Sequence, residues 1–178
     1  AIDGKTFNNL SNYFDKNHIQ LILDETYVNL VYDEINPSID SHSAIRIRSF
    51  SKEHCAPGLR IGYALAPRKL RKVMSDLVSL SISCSPRFIQ LAVAEYLLSD
   101  FRATYTERVR NEMRNRFQVL RDTIPNEYFL VKSNSAFYAL LRIQNDIEGF
   151  EFLMNENVST CPGSKFGKNS VNSIRISL

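Results

Sequence analysis

The stretch SFSKEHCAPGLRIGY occupies residues 49–63. A single lysine, Lys52, follows a strand-like run, and two serines, Ser49 and Ser51, lie within the three residues before it. Arg60 comes eight residues later, beyond a Pro-Gly turn. A lysine beside apolar chain is unfavourable unless it has a partner or a chemical role. We therefore treat Lys52 as a candidate for nucleophilic chemistry.

The composition is typical of a soluble globular protein. Of the 178 residues, 44% are hydrophobic and 23% are charged, and the net charge of +3 is too small to predict nucleic-acid binding. No apolar run approaches the roughly 20 residues that span a bilayer. The start of the sequence lacks the charged and apolar regions of a signal peptide. The length fits one compact domain or parts of two.

The cysteines and histidines favour neither a disulfide framework nor a metal site. The three cysteines, Cys55, Cys84 and Cys161, are odd in number and far apart, which is typical of reduced thiols in a cytosolic protein. The three histidines show no metal-ligand spacing with any cysteine or with each other. We therefore expect a cytoplasmic protein with no bound metal and no membrane association.

Strand and helix patterns alternate along the chain. Short apolar or alternating runs predict strands, and a 3.6-residue apolar period predicts helices. Strands are expected at residues 19–23 (buried, ending at Asp24-Glu25), 45–50, 61–65, 128–132, 136–143, 158–160 and 173–177. Helices are expected at residues 4–17, 68–80, 86–98, 101–123 and 149–155. Ser85-Pro86 is predicted as an N-cap and first-position pair, and residues 36–38 as a turn.

This alternation predicts an α/β fold with a largely parallel sheet in the first part of the chain. The closely spaced strands near the end, followed by a helix and a strand, predict a smaller α+β unit. The expected division is residues 1–85 as the back part of a large domain, 86–123 as connecting helices, and 124–178 as a small C-terminal domain truncated at its end.

Several groups with complementary chemistry follow the ends of predicted strands. In an open α/β sheet, ligands bind beyond the carboxyl ends of the strands, so these groups are expected to share one site. Ser49 and Arg60 suit a phosphate, Asp24 suits a cationic aromatic nitrogen, and Lys52 suits a carbonyl with which an amine forms an imine. Pyridoxal phosphate carries all three of these groups on one ring.

Five motifs then give a specific resemblance. They are Asp24-Glu25-x-Tyr27, Ser49-Phe50-Ser51-Lys52, Pro57-Gly58-Leu59-Arg60-Ile61-Gly62-Tyr63, Cys161-Pro162-Gly163-Ser164-x-Phe166-Gly167 and Ile174-Arg175-Ile176-Ser177. In this order and approximate spacing they resemble the C-terminal portion of the class I/II pyridoxal-phosphate-dependent aminotransferases, which have the aspartate-aminotransferase fold (fold-type I). The resemblance implies the back part of the large cofactor-binding domain, with its mostly parallel sheet, followed by the smaller C-terminal domain.

The resemblance also implies roles for the site residues. Lys52 forms the internal aldimine, a Schiff base with the cofactor, and then moves a proton as general base and acid. Asp24 keeps the pyridine nitrogen protonated, and Tyr27 bonds the phenolic oxygen of the ring. The phosphate is held by Ser49 and Arg60, with Ser51 as a helper.

The implied substrates are an amino acid and a 2-oxo acid, and the full-length protein is expected to be a homodimer. Arg175 pairs bidentately with the substrate α-carboxylate, a geometry that arginine suits and lysine does not. As alternatives, Lys52, Asp24, Arg60 or Arg175 is an ordinary surface or turn residue. His54 and Cys55 are adjacent and seldom face each other, so we do not predict a nucleophile pair.

The sequence departs from the family pattern in two respects. Glu53-His54 follows the lysine, where the family often has a small residue and then an aromatic, which makes this wall of the site unusual. The family's glycine-rich phosphate loop and ring-stacking aromatic precede the matched region, and its final helix follows the Arg175 strand. We therefore expect an excerpt of a longer protein that holds half of the cofactor site.

Two other functional classes remain open on the sequence alone. The same scaffold and cofactor residues serve decarboxylases, lyases, synthases and cyclases. A cofactor-sensing domain of a transcription regulator would carry the same motifs behind a DNA-binding segment.

Overall fold

The computed structural model describes residues 4–31, 44–130 and 135–178. The chain forms two compact units, Ala1–Arg110 and Asn111–Leu178. In the described part of the chain, no helix has the length and apolar character needed to cross a membrane. The turn predicted at residues 36–38 lies outside the described residues. The proposed domain limits at residues 85 and 123 stay a prediction.

The first unit contains a three-stranded sheet of mixed direction. Strand β1 (Ile22–Asp24) pairs in parallel with β2 (Ile45–Ser49), and β2 pairs antiparallel with β3 (Gly62–Leu65). The α/β fold class is confirmed. Residues 50–61 form a short helix and a 3-10 turn, which leaves no room for a crossover helix, so β3 returns antiparallel to β2.

The long helices of the sequence prediction are observed within two residues of their predicted limits. They are α1 (Gly4–Lys16), α3 (Arg68–Ile82), α4 (Arg87–Leu98) and α5 (Phe101–Thr123). The short helix α2 (Phe50–Glu53) is not predicted, and it begins at Phe50, where the sequence predicts the end of a strand. The predicted cap of α4 is wrong in detail. Pro86, not Ser85, is the N-cap residue, and no side chain caps this end. The Ser85 carbonyl instead accepts a hydrogen bond from Gln90 Nε2 at 2.6 Å.

Strand β1 is less buried than the sequence predicts. The expected strand at residues 19–23 begins only at Ile22, and Ile19 and Ile22 are 48% and 59% exposed. The physical reason is position, because β1 pairs on one side only in the described sheet. Burial in this unit centres instead on Phe7, Leu30, Ala44, Phe50 and Val93.

The second unit contains a small antiparallel sheet and one helix. Strands β4 (Tyr138–Arg142), β5 (Cys161–Pro162) and β6 (Ser173–Ser177) pair in the order β4-β6-β5. The strands predicted at 136–143 and 173–177 are confirmed. The one predicted at 158–160 is displaced to β5.

Two further boundaries in this unit differ from the sequence prediction. Where a strand was predicted at 128–132, a 3-10 turn at Asn126–Tyr128 is followed by a bridge between Phe129 and Leu141. The rest of that prediction lies outside the described residues. Helix α6 (Asp146–Asn155) begins three residues before the predicted start at residue 149.

The early start of α6 follows from a side-chain cap. Asn145 Oδ1 accepts hydrogen bonds from the backbone N–H groups of Ile147 (3.1 Å) and Glu148 (3.3 Å). Asn145 Nδ2 in turn donates to Glu148 Oε1 at 2.8 Å. Backbone donors of the first turn are thereby satisfied, as in other capped helices.

We expect Asn145→Ala to lower the free energy of unfolding of the full-length protein by about 1 kcal/mol, because the cap is lost. The matched control is Asn145→Ser, which keeps an uncharged acceptor that caps helices well and should stay close to wild type. Urea unfolding followed by circular dichroism measures both. Equal stability of Asn145→Ala and wild type would contradict the assigned cap.

Candidate functional site

Asp24 closes β1 and is held as a carboxylate by the next turn. Its Oδ1 accepts hydrogen bonds from the backbone N–H of Thr26 at 2.9 Å and from the Thr26 hydroxyl at 2.5 Å. The hydroxyl first, and the backbone N–H second, lower the pKa of Asp24 below its ordinary value. Asp24 is therefore a fixed negative charge at the carboxyl end of β1, and Tyr27 lies half-buried in the turn that follows.

Ser49, Ser51 and Lys52 lie at the carboxyl end of the neighbouring strand. Ser49 is the last residue of β2 and the N-cap of α2, and its hydroxyl accepts a hydrogen bond from the backbone N–H of Ser51 at 3.1 Å. Lys52 is half-buried on the same short helix. Asp24 and Ser49 are the last residues of β1 and β2. Since these strands are parallel, both residues lie at the same edge of the sheet.

Arg60 stands at the turn that leads into β3. The 3-10 turn Pro57–Leu59 ends at Arg60, whose backbone is left-handed (φ 50°), and Arg60 Nη1 donates to the Pro57 carbonyl at 3.1 Å. The side chain is exposed. Two residues on, Gly62 faces Ser49 in the sheet, and a Cβ there would lie 2.7 Å from the Arg48 carbonyl oxygen. Only glycine fits this close approach of β3 to β2.

The structure thus brings one group of predicted residues to one sheet edge. Asp24 follows β1, and the segment that carries Ser49, Ser51 and Lys52 follows β2 directly. A carboxylate, an amine and hydroxyls at such an edge could hold a ligand with a cationic ring nitrogen, a carbonyl and a phosphate. The predicted role of each residue stays a prediction.

Arg175 belongs to the second unit, where two aromatic rings flank it. Its guanidinium carbon lies 4.5 Å from the centroid of the Tyr138 ring and 4.6 Å from that of Phe166. Arg175 is on the central strand β6, opposite Leu140 on β4 and Cys161 on β5. Rings at this distance attract a cation and limit its motion. The predicted substrate role of Arg175 stays a prediction.

Sequence reasoning missed the two aromatic partners of Arg175. The sequence predicts no role at the site for either residue, although Tyr138 is half-buried and Phe166 is part of a quoted motif. A register argument could have found Tyr138. Its strand and the Arg175 strand alternate with the same period, and antiparallel neighbours place alternate residues on one face.

Sequence reasoning also missed an ion group formed by Glu25 with Arg46 and Arg48. Glu25, next to Asp24, is only 7% exposed and accepts from Arg46 Nε at 2.7 Å and Arg48 Nε at 2.9 Å. The two neighbouring carboxylates therefore have different environments, one at the candidate site and one in an ion pair with two arginines. The Arg-x-Arg spacing on β2 was the available signal, since residues two apart share a strand face.

Comparisons with known proteins identify the family of the chain. The family model described as "Aminotransferase class I and II" matches residues 1–178. An aspartate aminotransferase of Thermococcus kodakarensis is 29% identical over 186 residues, covering 100% of this chain and 48% of that protein. Putative aminotransferase YugH of Bacillus subtilis is 30% identical over 182 residues, covering 96% of this chain and 46% of that protein.

Solved structures show the same relationship. The aromatic aminotransferase from Pyrococcus horikoshii superposes with a TM-score of 0.87 at 26% identity, over 99% of this chain and 51% of that one. The chain spans about half the length of the curated relatives it matches. The family model covers every residue, and the predicted fold-type I architecture is confirmed. The chain therefore belongs to the class I and II aminotransferase family.

Proposed function

We propose that the full-length protein is a pyridoxal-phosphate-dependent aminotransferase that moves an amino group between an amino acid and a 2-oxo acid. The observation that carries the proposal is the placement of Lys52 directly after β2, while the ionised Asp24 ends the parallel neighbour β1. An amine and a lasting negative charge at one sheet edge are the two groups that this cofactor's chemistry requires.

The residues present fit pyridoxal phosphate. Asp24 would hold the ring nitrogen, because a carboxylate with a lowered pKa stays charged beside a protonated ring. Tyr27, in the turn after β1, would bond the phenolic oxygen. Ser49 and Arg60 would hold the phosphate, with Ser51 as a helper. When bound, pyridoxal phosphate accepts electron density from the α-carbon of an amino acid, and this is the chemistry that the protein lacks by itself.

Lys52 would have two tasks on this chain. Its Nζ would attach the cofactor covalently, since a primary amine is the nucleophile that forms imines with aldehydes. Once an amino acid has displaced it, the same Nζ would take the proton from the substrate α-carbon as a general base. Its place on α2, fixed at the helix start by the Ser49 cap, would keep the amine near the reacting atoms after release.

Arg175 would bind the substrate α-carboxylate. The guanidinium carbon lies over the rings of Tyr138 and Phe166, and the N–H groups of the guanidinium would supply the donors for the carboxylate. An edge-on guanidinium matches a planar carboxylate through two parallel N–H donors.

The names of the relatives favour amino transfer over the other chemistries of this scaffold. The Thermococcus and Pyrococcus proteins are an aspartate and an aromatic aminotransferase by name. Decarboxylases, lyases, synthases, cyclases and transcription regulators share the cofactor residues, and the similarities reported above do not favour them.

We further propose that the full-length protein is a cytoplasmic homodimer. Helices α3 and α4 expose large apolar side chains, among them Leu77 (60%), Leu80 (85%) and Phe88 (79%), and a face of this kind is usually covered in the complete protein. The three cysteines are free, which suits a reducing compartment.

Supplying amino acids one at a time to the full-length enzyme with a 2-oxo acid tests the reaction type. Transfer predicts formation of the matching keto acid. Release of carbon dioxide or ammonia in its place would identify a decarboxylase or a lyase and overturn the proposal.

Borohydride reduction of the full-length protein with pyridoxal phosphate should fix the cofactor mass on the peptide that contains residue 52. Lys52→Ala should abolish this mass, because the amine that forms the imine is gone. The control Lys69→Ala removes an exposed lysine of α3 and should label like wild type. Peptide mass spectrometry reads both, and undiminished labelling of Lys52→Ala would disprove the assignment.

Arg175→Lys should raise the KM for the amino acid roughly 10- to 100-fold, since a hydrogen bond to a charged group contributes ~1.5–3 kcal/mol. The spectrum of the bound cofactor should be unchanged. Arg142→Lys, on the adjacent strand β4, is the matched control and should leave KM within about twofold of wild type. Steady-state kinetics distinguishes the two variants. A normal KM in Arg175→Lys would remove Arg175 from the substrate site.

Thr26→Val should raise the pKa of Asp24 towards its ordinary value, because the largest stabilising hydrogen bond is removed. The pKa of Asp24 is lower in the folded protein than in the unfolded chain, where it is about 4. The hydrogen bonds to the carboxylate therefore stabilise the fold above this unfolded-state pKa. That contribution is lost as the pH falls through the folded-state pKa. The stability difference between wild type and Thr26→Val should therefore shrink from pH 7 to acid.

Carboxyl NMR titration of the full-length protein measures the Asp24 pKa directly, and urea unfolding at several pH values measures the linked stability. Thr26→Ser keeps the hydroxyl and serves as the control. An Asp24 pKa that is equal in wild type and Thr26→Val would refute the role of the threonine.

A further inference from the structure

The residue after Lys52 is a buried carboxylate. Glu53 is 3% exposed, and a buried carboxylate is unfavourable unless donors surround it. Two donors do so. Asn29 Nδ2 donates to Glu53 Oε2 at 2.7 Å, and His54 Nε2 lies 2.8 Å from Glu53 Oε1. Each oxygen of Glu53 therefore has one polar partner.

His54 extends this pair to helix α4. Its ring stacks on the buried Phe50 with centroids 4.9 Å apart, and its Nδ1 lies 2.9 Å from the Tyr96 hydroxyl. Both ring nitrogens therefore have partners, and the His54 side chain is 8% exposed. Asn29, Glu53, His54 and Tyr96 form one continuous series of hydrogen bonds, which we call the Glu53 chain.

The Glu53 chain joins the two segments that carry the candidate site. Asn29 is two residues after Tyr27, in the loop that follows Asp24. The Asn29 carbonyl also accepts from Arg110 Nε at 3.0 Å, so this loop is fixed at both its side chain and its backbone. Through the Asn29–Glu53 bond, the loop after β1 is tied to the residue next to Lys52.

The helix that carries Lys52 cannot fix its own orientation. α2 has four residues, and a helix of one turn has little stability without contacts from its side chains. At its start it has the Ser49 cap, and at its end the side chains of Glu53 and His54 anchor it. The direction in which Lys52 leaves the helix therefore depends on these two neighbours.

We propose that Glu53 and His54 are positioning residues. Through their hydrogen bonds to Asn29 and Tyr96, they hold Lys52 at a fixed position relative to the segment from Asp24 to Tyr27. The proposal rests on the proposed function of Lys52 as the cofactor-binding amine. It gives a physical role to the pair that departs from the usual family pattern at this point.

The test uses the full-length apoprotein mixed with pyridoxal phosphate. Absorbance follows the rate of covalent attachment at saturating cofactor, and borohydride trapping verifies attachment at Lys52. Glu53→Ala and His54→Phe should each slow attachment roughly tenfold or more, because a displacement near 1 Å can cost up to a hundredfold in rate. His54→Phe keeps a ring against Phe50 and removes both hydrogen bonds.

Two further variants complete the design. Tyr96→Phe removes one hydroxyl from the Glu53 chain and should give a smaller slowing, which keeps the test informative if Glu53→Ala does not fold. Asn29, Glu53 and His54 line a surface cleft that Glu107 also lines. Glu107→Ala removes this exposed carboxylate, which is not part of the Glu53 chain, and the variant should attach cofactor at the wild-type rate. For the slowed variants we expect a lower kcat with KM within about threefold of wild type.

The outcomes separate the two proposals. If wild type attaches no cofactor at Lys52, the proposed function fails. If wild type attaches it, and the folded Glu53→Ala, His54→Phe and Tyr96→Phe variants attach it equally fast, the positioning proposal fails. Lower melting temperatures with an unchanged attachment rate would also overturn it, since they would show a role in stability alone.

Discussion

The buried contact between Glu25 and the two arginines of β2 sets the geometry on which the candidate site depends. Removing a carboxylate from water is costly, and two charge-assisted hydrogen bonds at 2.7 and 2.9 Å compensate for it. A shift of one residue between β1 and β2 would turn both arginines to the other face and leave the carboxylate unpaired. The ion group therefore specifies the register that brings Asp24 and Ser49 to one edge.

The sequence was informative about the order of the elements and much less about their contacts. Local patterns predicted α5 at its observed limits and β6 as well, because apolar periods and caps lie within a few residues of the structure they determine. The Glu25–Arg46 pair spans 21 positions and the His54–Tyr96 pair 42. No periodicity links residues so far apart, so the sequence alone predicts neither of these contacts.

The same limit applies to Arg175 and its two rings. Tyr138 and Phe166 both pack against a cation, and their hydropathy does not indicate such a partner. Motif order located the arginine, whereas only the register of β4 and β6 shows what surrounds it. The motifs indicated the chemistry expected at each position, and the pairing of strands determined the neighbours of each group.

The left-handed backbone of Arg60 has a consequence for the evolution of this turn. At φ 50° a side chain with a Cβ is strained, at a cost of roughly 1 kcal/mol or more, and glycine would relieve it. Selection for stability alone would thus favour glycine at this position. Under the proposed phosphate-binding role of Arg60, stability and ligand binding would favour different amino acids at residue 60, and a glycine that relieves the backbone would remove the proposed phosphate contact.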